Sequence, residues 1–183
     1  MKIYNIKISK EMTFASETST RLHLLKPYCQ GNGVDIGSQG SPVNINSIQI
    51  EFDRFRFEED VPIQWEGDGI SNLPFKNNVL DYVYSGHLIE DYEDWISILN
   101  EWNRVIKIGG YIVIMVPDHN KFRECVSKGQ PDNLNHKHES YPGELSSYYK
   151  KHFLNFDIIC DYITDSYNIL FVAKKTQCFI KKI

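Results

Sequence analysis

Residues 91–116 read DYEDWISILNEWNRVIKIGGYIVIMV, and this stretch decides the fold. Trp95, Ile98, Leu99, Trp102, Val105 and Ile106 recur at helical spacing, which gathers them on one face of a helix that must be buried. Asp91 can cap its start, with Glu93 and Asp94 in the first turn, where acids suit the positive end of the helix dipole. Arg104 and Lys107 lie toward its end, and Gly109-Gly110 is expected to stop it. The apolar run Tyr111–Val116 that follows reads as a strand buried on both faces, and Leu80–Tyr84 reads as the strand before the helix. Strand, helix, strand in that order is a right-handed parallel crossover. The class is therefore α/β with a mostly parallel sheet.

Outward from this unit, Val34-Asp35-Ile36 is a buried strand ended by Gly37, Ile48–Phe52 alternates at period two as another, and Ile63–Trp65 reads as a third. Only residues 41–47, with Pro42 among them, join the first two, too few for a crossover helix of the usual ~10–14 residues. Upstream, Glu17–Cys29 is expected to be a helix carrying Leu22, Leu25 and Tyr28, with Pro27 ending or kinking it. Downstream, Phe156–Ile163 and Tyr167–Ala173 are strand-like and joined by Thr164-Asp165-Ser166. So short a link forces an antiparallel hairpin. With 183 residues and no linker, the chain reads as one domain. Its parts are an N-terminal extension (1–30), a core (33–118), a lid and helix (119–152) and the hairpin (153–183).

Hydrophobic residues make up 42% of the chain, enough for a core, and the net charge of −4 argues against a nucleic-acid or anionic-membrane surface. Lys174, Lys175, Lys181 and Lys182 form the one basic cluster, read as a solvated tail. Met1–Lys10 alternates apolar and charged residues, unlike a secretory signal, and there is no run of ~20 apolar residues to span a membrane. Cys29, Cys125, Cys160 and Cys178 are scattered without metal-type spacing, which suits reduced thiols in a cytoplasmic protein.

Four constellations carry chemistry. In Val34-Asp35-Ile36-Gly37-Ser38-Gln39-Gly40 a strand ends in glycine, so a ligand can approach the backbone, and Asp35 can accept hydrogen bonds from an ammonium group. A plain tight turn explains the same residues. Glu51, at the end of the next strand, can accept both hydroxyls of a ribose; Asp53, two positions on and on the same face, is the rival. Glu66-Gly67-Asp68-Gly69 sets a carboxylate where it can accept from an adenine amine, although the same residues make an ordinary surface turn. Ser85, Gly86 and His87 end the fourth strand at the same edge, and His87 can position an acceptor, take its proton, or simply pack.

In order, VDIGSQG, IQIEFD, WEGDGISNLPF, LDYVYSGHLIED and EWNRVIKIGGYIVIMVPD resemble the class I S-adenosylmethionine-dependent methyltransferases, in particular the group called methyltransferase type 11. The resemblance runs from Gly33 to Asp118. It implies a Rossmann-like three-layer sandwich with a seven-stranded sheet in the order 3-2-1-4-5-7-6, the last strand antiparallel, here with a shortened first crossover. It implies S-adenosylmethionine as cofactor. Asp35, Gly37, Ser38 and Gly40 would hold its methionine end, and Glu51, with Asp53 as alternative, its ribose. Asp68, Gly69 and Ile70 would hold the adenine, with Ser85, Gly86 and His87 near the sulfonium. The Gly-Ser-Gln-Gly loop departs from the family pattern, as does Asp91 where a histidine is common.

Methyl transfer needs alignment and water exclusion above all, and an oxygen nucleophile can also need a base. Candidates are His87, Asp118 and His119, with His138 in the His136-Lys137-His138-Glu139 segment. That segment belongs to a polar, flexible lid over Ser127–Ser140, before a helix opening at Pro142-Gly143-Glu144-Leu145. Two histidines at i and i+2 do not make a metal site. The expected substrate is a small polar molecule, with a sugar or glycan precursor favoured by a likeness to methyltransferases of bacterial surface-glycan clusters. No nucleic-acid or membrane partner is expected, and a homodimer is left open. The competing readings are a noncatalytic binding subunit of the same fold and an NAD-dependent oxidoreductase.

Overall fold

The computed structural model describes residues 17–38, 41–51, 65–66, 72–164 and 167–177, with Glu51, Trp65 and Glu66 described at the backbone alone. The strands are β1 (Gly33–Ile36), β2 (Ile48–Glu51), β3 (Trp65–Glu66), β4 (Leu80–Gly86), β5 (Ile106–Pro117), β6 (Phe156–Ile163) and β7 (Asn168–Lys175). The helices are α1 (Glu17–Thr20), α2 (Leu22–Leu25), α3 (Trp95–Val105), α4 (His119–Ser127) and α5 (Glu144–His152), with a 3-10 turn over Ile89–Asp91.

The strands form one mixed sheet in the order β3-β2-β1-β4-β5-β7-β6. The pairs from β3 through β5 are parallel, while β7 runs antiparallel to both β5 and β6. Alternation along each strand serves two cores. Ile112, Ile114, Val116, Phe171 and Ala173 face α3 and α5, where Ile98, Leu99, Trp102 and Tyr149 meet them. Val113, Met115, Leu170 and Val172 face the other way, onto Leu25 and Cys29. Both faces of the sheet are thus covered, as parallel strands require.

Several expectations are corrected. Asp94, not Asp91, caps α3: its carboxylate accepts from the Ser97 amide at 3.0 Å, while Asp91 closes the 3-10 turn. The helix ends at Val105 and is not stopped by Gly109-Gly110. Ile106 turns extended and pairs with Leu80, and Lys107 reaches Asp81 at 2.5 Å. Gly110 then passes so close to the Asp81 carbonyl that a Cβ would meet it at 2.7 Å, so glycine serves the strand rather than the helix end. The helix expected over Glu17–Cys29 is split at Arg21 into α1 and α2. The Glu-Thr-Ser-Thr segment of α1 favours side-chain bonds over a continuous helix: Thr20 donates to the Glu17 carbonyl, and Thr18 Oγ1 meets the Tyr84 hydroxyl at 2.8 Å.

Lys175 is buried rather than part of a solvated tail. Its ammonium donates to the carbonyls of Asn103 and Ile106 and to Asn78 Oδ1, at 2.7–2.8 Å, satisfying the end of α3. Lys181, Lys182, Cys178 and Met1–Lys10 lie outside the described residues. Residues 41–47 carry turns, with Ser41 donating to the Ser38 carbonyl and Ser47 to that of Asn44, and no helix. Among the described residues no helix is long and apolar enough to cross a membrane.

Candidate functional site at the strand tips

Parallel pairing delivers the ends of four strands to one edge of the sheet. Ile36 lies in register with Ile50 on one side and Ser85 on the other, and Glu51 with Glu66. Gly40, Asp53, Asp68, Gly69 and Ile70 fall outside the described residues, as does the Glu51 side chain.

At the tip of β1, Gly37 turns the chain at φ 80° while its amide donates to the Ile50 carbonyl at 2.9 Å. Asp35 is buried, and its Oδ2 accepts from the Val43 amide at 2.6 Å. Ser38 donates to Gln49 Oε1 at 2.9 Å. Carboxylate and hydroxyl therefore brace the short crossover into β2.

At the tip of β4 the arrangement differs. Ser85 is buried, and its hydroxyl has no hydrogen-bond partner among the described residues. Gly86 leaves room for protein rather than ligand: a Cβ there would meet the Tyr84 hydroxyl at 2.5 Å and Thr18 Oγ1 at 3.3 Å. His87 holds φ 53°, a left-handed conformation rare outside glycine. Its amide donates to the Met115 carbonyl at 2.8 Å, and its Nε2 is enclosed without a partner among the described residues. Burial pushes the imidazole down to about 4, against the opposing pull of Glu17 and Asn168. It is thus neutral at pH 7 and does not titrate near neutrality as an isolated histidine would.

Behind His87 sits Glu90, 1% exposed, which the sequence reading passed over as a site residue. One carboxyl oxygen, Oε1, lies 3.6 Å from His87 Nδ1 and 3.9 Å from His136 Nε2. The other, Oε2, is buried without a partner among the described residues. Burial raises the Glu90 carboxyl to about 8 and lowers His136. Glu17 acts on His87 electrostatically and accepts from the Tyr167 hydroxyl at 3.1 Å and from Asn168 Nδ2 at 2.9 Å. Glu17 and this pair stand 150 positions apart in sequence, so no local spacing could announce them.

The other proposed bases have partners of their own. Asp118 caps α4, accepting from the Lys121 amide at 2.8 Å. His138 meets Glu144 Oε1 at 2.8 Å and lies against the Trp95 ring at 4.0 Å. His119 donates its amide to the Ser140 carbonyl and faces Glu139 at 3.7 Å. The segment expected as a flexible lid is pinned: the amides of Lys137 and His138 both donate to the Glu90 carbonyl, at 2.8 and 3.0 Å. Between it and α4 lies a hollow of about 330 Å³, lined by His119, Phe122, Arg123, Asp132, Leu134 and His136 among others. Among the described residues no trio of His, Cys, Asp or Glu is arranged to hold a metal ion.

Comparison with known proteins places this arrangement. A family model described as a methyltransferase domain matches residues 1–114. The chain is 40% identical over 95 residues to a demethylmenaquinone methyltransferase from Staphylococcus saprophyticus, a match covering 49% of this chain and 41% of that protein. It is 32% identical over 69 residues to the enzyme of the same description from Bacillus pumilus, covering 38% of this chain and 25% of that one. The matched region thus spans well under two thirds of those relatives. In solved structures, a SAM-dependent methyltransferase from Thermotoga maritima superposes with a TM-score of 0.67 at 18% identity, covering 87% of this chain and 89% of that one. One from Archaeoglobus fulgidus superposes at 0.66 with 18% identity, covering 85% and 92%. These likenesses establish a Rossmann-like methyltransferase fold.

Proposed function

The chain belongs to the class I S-adenosylmethionine-dependent methyltransferases, whose methyltransferase-domain model it matches over residues 1–114, and from that premise we propose that it transfers a methyl group to a small polar acceptor. The observation that carries the reading is the strand register, which brings Ile36, Glu51, Glu66 and Ser85 to one edge of the sheet. The residues fit the cofactor: Gly37 turns away at φ 80°, and the buried Ser85 hydroxyl and His87 Nε2 lack partners among the described residues. S-adenosylmethionine supplies a methyl group on a sulfonium, with a neutral thioether as leaving group. Gly37, Ser38 and Gly40 would hold its methionine end, and Asp35 would brace that loop from behind. Glu51, or Asp53 in its stead, would hold the ribose, and Asp68, Gly69 and Ile70 the adenine. Ser85 and His87 would face the reacting centre, with Gly86 making room for α1 beside them.

The acceptor reading rests on the hollow beside α4. Its lining includes His119, Arg123, Asp132 and His136, a set of donors and acceptors suited to a hydroxylated molecule such as a sugar. A second reading, a quinol ring, is favoured by the 40% identity to the Staphylococcus saprophyticus enzyme. The test is to incubate the protein with methyl-labelled S-adenosylmethionine and either monosaccharides, nucleotide sugars or demethylmenaquinol, then follow the label by mass spectrometry. Label on a sugar hydroxyl is expected. Label on the quinol ring would support the second reading. Failure to bind the cofactor at millimolar concentration would overturn both.

A further inference from the structure

We propose that His87, Glu90 and His136 form one proton relay, by which the proton of an acceptor hydroxyl leaves the strand-tip crevice for solvent at the partly exposed His136. The inference rests on the methyl-transfer reading and names the route that reaction needs when the acceptor is an O–H group. In that case the O–H bond breaks as the O–CH3 bond forms, the S–CH3 electron pair returns to sulfur, and a proton remains to be taken up.

The geometry supplies a path for it. His87 is held at φ 53°, and backbone strain of this kind persists where the surroundings enforce it, often at working sites. Its enclosed Nε2 lacks a partner among the described residues and can accept the hydroxyl proton. Its Nδ1 points at Glu90 Oε1, 3.6 Å away, and the same oxygen lies 3.9 Å from His136 Nε2. One carboxyl oxygen therefore stands between two imidazole nitrogens. Both separations exceed a formed hydrogen bond, as is common before substrate draws such a group together. The His136 side chain is 19% exposed, which gives the proton an exit to solvent.

The position of Glu90 is enforced from outside the trio. Its carbonyl accepts the amides of Lys137 and His138, so the loop carrying His136 is fastened to the turn carrying Glu90. Glu90 acts through His87 and is a positioning residue. Ionised, it holds the proton on Nδ1 and leaves Nε2 free to accept. Protonated, it donates to Nδ1 and leaves the proton on Nε2, which then cannot act as a base. Burial that raises the Glu90 carboxyl to about 8 puts this change of tautomer near that pH. The charged and titratable groups facing His87 are Glu17 from α1, Arg21 from the break between α1 and α2, His136 from the loop and Glu90 from its own turn; Asp91 acts on Glu90 and His136, Asp132 and His119 act on His136, and Tyr167 and Asn168 contribute from just before and at the start of β7.

The test needs no acceptor. Protein labelled with nitrogen-15 histidine is titrated from pH 5 to 10, and the ring nitrogen shifts of His87 and His136 report the tautomer of each. Both rings are expected to share an inflection near pH 8, with His87 passing from the Nε2–H to the Nδ1–H form. Glu90→Gln is close in shape and carries no charge, and should abolish the shared step. His136→Asn should leave the step at His87 alone, which keeps the test open if the first variant fails to fold. Rings that titrate independently, or a His87 that keeps its Nε2 proton above pH 9, would overturn the relay. Calorimetry with S-adenosylmethionine on the same samples reports separately on the methyltransferase reading.

Discussion

The tips of β1 and β4 are neighbours in the sheet, yet they use their polar groups differently. At β1, Asp35 Oδ2 accepts from the Val43 amide and the Ser38 hydroxyl donates to Gln49 Oε1, so these two atoms hold the crossover loop. At β4, the Ser85 hydroxyl, His87 Nε2 and Glu90 Oε2 are buried without hydrogen-bond partners among the described residues. A buried polar group left unsatisfied costs roughly 1–3 kcal/mol. On the proposed function, the difference separates a rim that braces its loop from one that keeps groups ready for a ligand.

The largest expected consequence is a dependence of stability on pH. The folded Glu90 carboxyl titrates near 8, above its unfolded value of about 4.3, so between those limits the native state holds a proton that the unfolded chain releases. Stability should be full below that lower limit, fall as pH rises toward 8, and level off above it, by up to about 5 kcal/mol at about 1.36 kcal/mol per unit. His87, depressed to about 4, works in the opposite sense, costing stability as pH falls from about 6.5 toward 4. Urea unfolding from pH 5 to 9 should show the alkaline decline in the natural protein and its absence in Glu90→Gln. A decline that persists in the variant would place the titrating group elsewhere.

Next in size is Asp35→Ala, expected to cost about 2–3 kcal/mol in urea unfolding, the value of a buried hydrogen bond to a charged group. It should also weaken S-adenosylmethionine binding by loosening the loop after Gly37. An unchanged unfolding midpoint would remove the contrast between the two rims.

The smallest effect concerns backbone strain. Glycine accepts φ 53° without the Cβ penalty, so His87→Gly should be about 1 kcal/mol more stable than His87→Ala. Both should lose methyl transfer while keeping near-normal cofactor affinity. Equal stability of the two would show that the strain is relieved when the ring is removed.

The two rims also differ in how far the sequence foretold them. Local periodicity was enough for the helix face of Trp95, Ile98, Leu99, Trp102 and Val105, all buried, and for the closing hairpin, because each answers to neighbours a few positions away. It was not enough for the end of α3, where Ile106 fits the helical stripe but answers to Leu80 in the sheet. Nor could it choose between Asp91 and Asp94 as the cap, two acids within a turn of each other. At the site, His87 was legible because it ends a strand. Glu90 lay in the same quoted stretch but reads as a surface acid until its burial is known. Glu17, Tyr167 and Asn168 join His87 only through the folded sheet, and His136 only through a loop bonded to the Glu90 carbonyl.

The claim on which the rest depends is that the tips of β1, β2 and β4 border one S-adenosylmethionine site. Calorimetric titration of S-adenosylmethionine into the natural protein and into Glu51→Ala tests it most directly. Binding should be measurable in the first and at least tenfold weaker in the second, as the loss of a charged hydrogen bond of about 1.5–3 kcal/mol requires. No binding to the natural protein at millimolar cofactor, or equal affinity in both, would contradict it.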